Sequence, residues 1–390
     1  MSYSTTLSTP KRGGVIRTLL PMACDGVGPS QTCLNLMRGA HRAGYAVEVF
    51  ANRCRLSNPG VPMTLSVPAP LDRLPYRWTG KRASQRIESL FLQKIQPGDI
   101  AYLWPAVSVE THRILHARGI PVVLEGINTR MASAKRILDA AYADFGIPPS
   151  HGITDERIAQ EEEKYRYASA IFAPNRHVET ALQGSLLQDR IIPTSYGVDA
   201  SKASPERDYP DKASLTFMFC GYACVRKGVH LLLDAWKTMP KNHKLQLVGR
   251  IEPVIAERYR DFLASDQVEV VGFVDDVHAW FAKADVFVFP SLEEGGPQVV
   301  YEAALHGLPM VVSPMGAGRL GEVKDALISV DPTDAHGFSS ALSQIATSVS
   351  LREKLGRTAR LNAPDFDWNH VGAQRAEMVT DFFAKDLIQS

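Results

Sequence analysis

The chain has 390 residues, 45% of them hydrophobic and 22% charged, with a formal net charge of +1. That length exceeds one ordinary core and suits two domains, and the composition excludes disordered and repeat classes. A net charge this close to zero argues against general nucleic-acid binding, which needs a dominant positive field.

Residues 1–10 are polar and lack the apolar core of a secretory leader. No window reaches the roughly 20 apolar residues that span a bilayer. Residues 15–20 read as a strand, Gly26-Val27-Gly28 as a turn, and 30–42 as a helix ended by Gly44. Residues 47–50 form the next strand, which completes a βαβ unit. Strands follow over 99–103 and 122–124, with a helix over 110–117 between them. Another, over 171–173, comes after a charged helix that begins near Asp155. The polar stretch 199–214 reads as a linker. The pattern then restarts, with a strand over 216–220, a helix over 229–236, and strands over 245–248, 268–271, 286–289 and 310–313.

Such alternation predicts parallel sheets covered by helices on both faces. The expected fold class is therefore α/β, with two Rossmann-like, doubly wound domains facing each other across a cleft. The first spans 1–200, the second 201–365, and residues 366–390 form a closing helix. Residues 1–200 carry 23 Lys and Arg against 17 Asp and Glu, whereas residues 201–390 carry 20 against 25. The first half is thus mildly basic and the second mildly acidic. The cysteine total is five, and an odd number suits a reducing cytosol. Cys220 and Cys224 have no second pair nearby, so zinc is not expected.

The most informative segment is VFVFPSLEEGGPQVVYEAALHGLPMVV, residues 286–312. An apolar strand runs into a Gly-Gly loop, Pro297 suits a helix start, and Gly307 closes that helix. Backbone amides over Gly296, Pro297, Gln298 and Val299 mark an anion site at the helix start. Glu294 stands just before the helix and Glu302 lies inside it. Two carboxylates beside an amide-rich helix start suit a sugar nucleotide, whose hydroxyls need acceptors. The residues alone leave open a plainer reading, an acidic group complementing the helix dipole plus a solvated helical Glu.

This segment resembles the core motif of family 4 glycosyltransferases, in which two glutamates are separated by seven residues. The resemblance implies the two-domain GT-B arrangement, a retaining mechanism, and no metal or other cofactor. It implies that Glu302 binds the nucleotide ribose and that Glu294 contacts the donor sugar. FCGYACVRKGVHLLLDAW, residues 219–236, is similar to the opening of the family's donor domain. There Lys227 matches the lysine that holds the diphosphate, and Tyr222 stands where an arginine is common. Arg226 is the candidate replacement, with an ordinary solvated pair as the alternative. Residues 270–274 resemble the strand end beside the base, which places Val274 at the nucleobase. Residues 25–50 resemble the opening glycine loop, so Gly26 and Gly28 become candidates for phosphate or acceptor approach, with a plain tight turn as the alternative. FDWNHVGAQRAEMVTDFF, residues 366–383, resembles the helix that crosses back to the first domain. A histidine common after the strand matched within PVVLEGIN, residues 121–128, is replaced by Ile127. Glu125 becomes the candidate acceptor-side group, with an edge carboxylate paired to a basic neighbour as the alternative.

Other patterns carry less. Gly316, Gly318 and Gly321 fit GxGxxG, but no strand ending in an acid follows at the distance a dinucleotide site requires. His112 and His116 lack the glutamate of a zinc peptidase helix, and Asp365 and Asp367 precede a helix that they suit as caps. Arg73, Arg77, Lys81, Arg82 and Arg86, with Tyr76 and Trp78 among them, read as a solvated basic face or as a contact with an anionic membrane.

The expected function is transfer of a hexose from a nucleotide-diphosphate sugar to a glycan, lipid-linked or other glycoconjugate acceptor. The expected location is the cytoplasm, with peripheral contact at the inner face of the membrane. The alternatives on the same fold are a nucleotide-sugar epimerase, a phosphorylase, and a non-catalytic nucleotide-sugar-binding partner subunit.

Overall fold

The computed structural model describes residues 14–67 and 76–389. The polar stretch 1–10 and Arg73 lie outside the described residues, as do the side chains of Tyr76, Arg77 and Trp78. The first sheet holds seven strands: β1 (Ile16–Cys24), β2 (Val47–Cys54), β3 (Met63–Leu65), β4 (Ile100–Leu103), β5 (Val122–Glu125), β6 (Ala170–Ala173) and β7 (Ile191–Pro193). Their spatial order is β3-β2-β1-β4-β5-β6-β7. The second sheet holds β8 (Thr216–Cys220), β9 (Lys244–Val248), β10 (Val268–Gly272), β11 (Val286–Phe289), β12 (Met310–Val312) and β13 (Ile328–Ser329), in the order β10-β9-β8-β11-β12-β13. Each sheet begins at its centre, steps outward on one side, then crosses to the other. That winding leaves a crevice at the strand C-termini, between β1 and β4 and between β8 and β11.

Every residue of β4, β5, β6 and β11 is buried. Helices cover both faces, so these strands are continuous apolar runs rather than alternating ones. Strand register fixes which residues reach the crevice together. Leu103 pairs with Leu124 and Glu125 with Phe172, so Trp104 and Glu125 lie side by side at the C-terminal ends of their strands. The linker is fastened to the second domain, because Arg207 donates to the carbonyls of His306 (2.9 Å), Ala284 (2.6 Å) and Phe281 (2.9 Å).

The short strands β3, β7 and β13 and the helices Tyr76–Lys94 and Met131–Asp144 are additions to the sequence reading. The strands have two or three residues each, too few to show a period. Among the described residues, no helix is long and apolar enough to cross a membrane.

The last helix, Trp368–Gln389, crosses back and lies against the helix Gly28–Arg42. Gly39 and Gly372 meet at the crossing, and a β-carbon on either would run into the opposing backbone. This close approach carries Arg375 into the first domain. Its guanidinium pairs with Glu125 at 2.7 Å, donates to the Ser195 carbonyl at 2.8 Å, and lies over the rings of Phe172 and Tyr196. Glu125 also accepts from the hydroxyls of Tyr196 (2.8 Å) and Tyr102. The Glu125 side chain is 0% exposed. The expectation that it faces the cleft as an acceptor-side group is corrected by this burial. A strand end beside an arginine from a distant helix closes the carboxylate into the core.

Breaking a buried pair on one side leaves an uncompensated charge, at a cost of about 3–5 kcal/mol. Arg375→Met is therefore expected to lower the urea midpoint of unfolding markedly, and adding Glu125→Gln should recover much of the loss. A wild-type midpoint for Arg375→Met would show that the pair does not hold the helix.

Candidate active site

Three loops at the C-terminal ends of β8, β11 and β12 meet at the crevice. The loop after β8 makes a 3-10 turn over Val225–Lys227 and then starts the helix Val229–Trp236. The Leu292 amide donates to the Arg226 carbonyl at 2.9 Å, which ties this loop to the one after β11. Ser313, after β12, donates to the Ser291 carbonyl at 2.5 Å and accepts from the Gly316 amide at 2.9 Å. The three loops thus form one rigid ledge.

Lys227 and Glu294 form a buried ion pair on that ledge. Ser291 Oγ lies 3.2 Å from Glu294 Oε1, and the Lys227 ammonium sits 5.2 Å from the centre of the Phe289 ring. Burial, followed by the neighbouring Arg226 guanidinium, pushes the Lys227 ammonium down to about 7. The Glu294 pair favours the charged form. Arg226 donates to the Glu293 carbonyl at 3.0 Å and approaches its carboxylate at 3.4 Å. Its charge is therefore partly committed inside the protein, while Tyr222 stands 48% exposed at the rim.

The helix after the Gly-Gly loop is Gln298–Leu305, with Pro297 as its N-cap residue. Two amides at its start are already used. Gln298 donates to the Gly296 carbonyl and Val300 to the Pro297 carbonyl, each at 3.0 Å. Pro297 has no amide hydrogen, so Gly296 and Val299 are the donors left to an anion. Glu302 lies at the start of the second turn of the helix with no hydrogen-bond or ion-pair partner among the described residues, and burial pushes its carboxyl up to about 7. Val274 is partly buried after β10, beside Phe273, which is 70% exposed and has the Arg250 guanidinium 5.9 Å from its ring centre. That exposed aromatic residue at a crevice strand end is a site feature the sequence reading passed over.

The structure is closed across the crevice. Glu293 Oε1 accepts from the Thr129 amide (3.1 Å) and hydroxyl (2.9 Å), both from the first domain. Asn175 donates to the Gly295 carbonyl at 2.5 Å, and the Gln298 side chain donates to Thr32 at 2.8 Å. The two glycines are required by this closure. A β-carbon on Gly295 would strike the Ile127 carbonyl, and one on Gly296 the Tyr196 ring. Arg319 reaches over to the carbonyls of Thr194 (2.7 Å) and Ala173 (3.0 Å) and pairs with Glu179. Gly26 and Gly28 form the turn between β1 and the helix Gly28–Arg42, one turn ahead of Thr32.

The remaining patterns resolve into structure. His112 is buried and its Nδ1 donates to the Ser108 carbonyl at 2.7 Å, whereas the His116 ring packs against Tyr167. Among the described residues, no cluster of three His, Cys, Asp or Glu side chains is placed to hold a metal. Gly316, Gly318 and Gly321 lie in the 3-10 stretch Met315–Glu322. Asp367 accepts from the amides of Asn369 (2.8 Å) and Ala200 (3.2 Å) at the start of the last helix.

A cavity of about 810 Å3 opens beside the ledge. Trp104, Ile127, Arg157 and Lys164 line its first-domain side, and Tyr222, Arg226 and Glu293 its second-domain side. Exposed and half-buried cations at the mouth of a cavity that also holds carboxylates suit an anion that carries several hydroxyl groups.

Comparison with known proteins agrees with this geometry. Residues 214–348, which include Lys227, Glu294 and Glu302, match the family model described as Glycosyl transferases group 1. The lipopolysaccharide core biosynthesis glycosyltransferase LpsE of Rhizobium meliloti (strain 1021) is 33% identical over 194 residues, or 49% of this chain and 53% of that protein. The chain spans about half the length of the curated relatives it matches. Sucrose-phosphate synthase from Thermosynechococcus elongatus superposes over 95% of this chain and 100% of its own, with a TM-score of 0.72 at 17% identity. HepE of Anabaena, solved with UDP-glucose, gives a TM-score of 0.67 at 16% identity, over 94% of this chain and 99% of its own. These likenesses show the fold, two doubly wound domains in the GT-B arrangement.

A carboxyl whose folded pKa lies above its unfolded value costs stability as pH rises past the unfolded value, here 4.5, and the cost is complete above about 7. Glu302→Gln should therefore melt with the wild type below pH 4.5 and progressively above it up to pH 7. A melting-temperature difference that does not change with pH would show that the carboxylate is not held against its own charge.

Proposed function

We propose that the chain is a glycosyltransferase that takes a hexose from a nucleoside-diphosphate donor and passes it, with retention of configuration, to a glycan or lipid-linked glycoconjugate acceptor. The observation that carries the reading is the ledge itself, a Lys227–Glu294 ion pair, followed in the next helix by a Glu302 carboxylate with no partner among the described residues. It is supported by the family match over residues 214–348, the UDP-glucose bound to HepE, and the lipopolysaccharide role of the LpsE relative.

In this reading the bond between the anomeric carbon and the diphosphate oxygen breaks, and negative charge grows on that oxygen. Lys227, Arg226 and the amides of Gly296 and Val299 neutralise it, in a site where water is excluded and electrostatic stabilisation is correspondingly strong. Glu294 turns from Lys227 to the hexose hydroxyls once phosphate takes its place beside the ammonium. Glu302 accepts from the ribose hydroxyls, and Val274, with Phe273, borders the base. The reaction needs no metal, because the protein's own cations meet the developing charge. Glu125 keeps a positioning role, holding the last helix. The exposed Lys81, Arg82 and Arg86 contact anionic lipid at the inner face of the membrane. That contact should appear as binding to anionic vesicles at low salt, and no binding there removes it.

A thermal-shift panel of UDP, GDP, ADP and their sugars, run with EDTA, tests the donor site. One nucleotide family should raise the melting temperature, and Lys227→Met and Glu294→Gln should each lower kcat by about 10²–10³-fold in a folded protein. Donor conversion without acceptor would point to an epimerase instead, and binding without turnover to a non-catalytic subunit. Near-normal kcat in both variants overturns the assignment.

A further inference from the structure

The charges that line the 810 Å3 cavity are not evenly satisfied. Its four glutamates are all engaged. Glu125 is held by Arg375 and two tyrosines. Glu161 accepts from the Met131 amide at 2.7 Å. Glu252 accepts from the Val225 amide (2.9 Å) and the Tyr142 hydroxyl (3.3 Å). Glu293 is taken by Thr129 and Arg226. Of the cations, Arg130 pairs with Glu162, and Arg226 meets Glu293.

Arg157 and Lys164 differ from these. They stand seven residues apart on the helix Asp155–Tyr167, so they share one face of it. Arg157 donates to the Gly152 carbonyl at 2.6 Å and Lys164 to the Pro105 carbonyl at 2.7 Å. Neither has a carboxylate within ion-pair distance among the described residues. The nearby Glu88 carboxylate is already taken by Ser108 and Thr111. Burial pushes the Lys164 ammonium down, Glu161 and Glu88 oppose that, and Arg157 adds to it. Burial also pushes the Glu161 carboxyl up to about 7, which weakens the one carboxylate on the same helix face. Arg157 is exposed and Lys164 half-buried, and two neighbouring cations at a cavity mouth, answered within the protein only by neutral carbonyls, are stabilised by an anion placed between them.

We propose that this wall receives an anionic group carried by the acceptor, a phosphate ester or a carboxylate on the sugar, held by Arg157 and Lys164. The proposal rests on the transferase reading and names the acceptor class of the same site. The cavity runs from these two residues to Arg226 and Glu293, next in the chain to Lys227 and Glu294. An acceptor anchored by its charge at one end therefore presents its hydroxyl end to the ledge. A neutral sugar would fill the same volume without drawing on either charge.

The test titrates glucose, glucose 6-phosphate and glucuronate into the full chain by calorimetry, with and without the nucleoside diphosphate that stabilises it. At least one anionic sugar should bind about tenfold or more tighter than glucose, and its affinity should fall as salt rises. Which of the two binds separates phosphate from carboxylate. The double variant Arg157→Gln/Lys164→Gln should lose that preference while its nucleotide affinity stays within about twofold of wild type. Glucose binding as well as the anions, no saturable binding of either anion, or full retention of the preference in the variant would each overturn the proposal. Loss of nucleotide binding by wild type, with anion binding intact, would instead strike the transferase reading alone.

Discussion

Two parallel sheets that aim their C-terminal ends at one another force a problem of charge. Strand ends and helix starts collect positive potential in the crevice, and Arg226 and Lys227 add to it. Enclosing Lys227 would cost several kcal/mol unless a carboxylate answers it, and Arg226, a third exposed, adds a smaller demand of the same sign. Glu293 and Glu294 meet both from one dipeptide. The order within that dipeptide separates the roles. Glu294 turns back onto the ledge and neutralises Lys227, whereas Glu293 faces the other domain and takes two hydrogen bonds from Thr129. The closed arrangement and the charge balance of the donor ledge are therefore a single construction. The pair that Glu294 makes on the ledge and the contact that Glu293 makes across the cleft are held by adjacent residues yet by separate partners.

Much of the fold was legible because its central strands are buried on both faces. Continuous runs such as VFVF at β11 and VVL at β5 admit few other readings when glycines and charged helices flank them. The doubled alternation led to two domains, and the polar stretch 199–214 to the junction between them. The ledge was legible for a different reason. Its residues lie close in the chain, Glu294 before the helix and Glu302 within it, and a resemblance anchored on that spacing also brought in Lys227. The structure places these side chains around one crevice. Their chemical roles stay part of the proposed function.

What the sequence hid was long in range. Glu125 at a strand end is equally suited to face a cleft or to be sealed in the core, and the deciding partner, Arg375, lies 250 positions away. No local period marks Arg375 as buried, because the close crossing at Gly39 and Gly372 is what carries it inward. The same holds for Arg319, which sits in a stretch read for its glycines yet spends its donors on the carbonyls of Thr194 and Ala173 in the other domain. Glu293, one position outside the spacing shared by Glu294 and Glu302, makes the contact across the cleft. Register along one helix does not show which side chain meets a domain folded separately.

The two sides of the cleft are built to different standards, and this bears on how such a protein divides its labour. The donor ledge is tied by backbone hydrogen bonds between three loops and by a dipeptide that satisfies its cations internally, so it is set before any ligand arrives. Preorganisation of that kind lowers the reorganisation cost when charge develops on a leaving group. Across the cavity, the helix Asp155–Tyr167 leaves Arg157 and Lys164 with carbonyl partners only. Its side chains can change without disturbing the ledge, because none of them ties one loop of the ledge to another. The fixed ledge and the closure of the domains are thereby one construction, whereas this helix face can vary independently on the same frame.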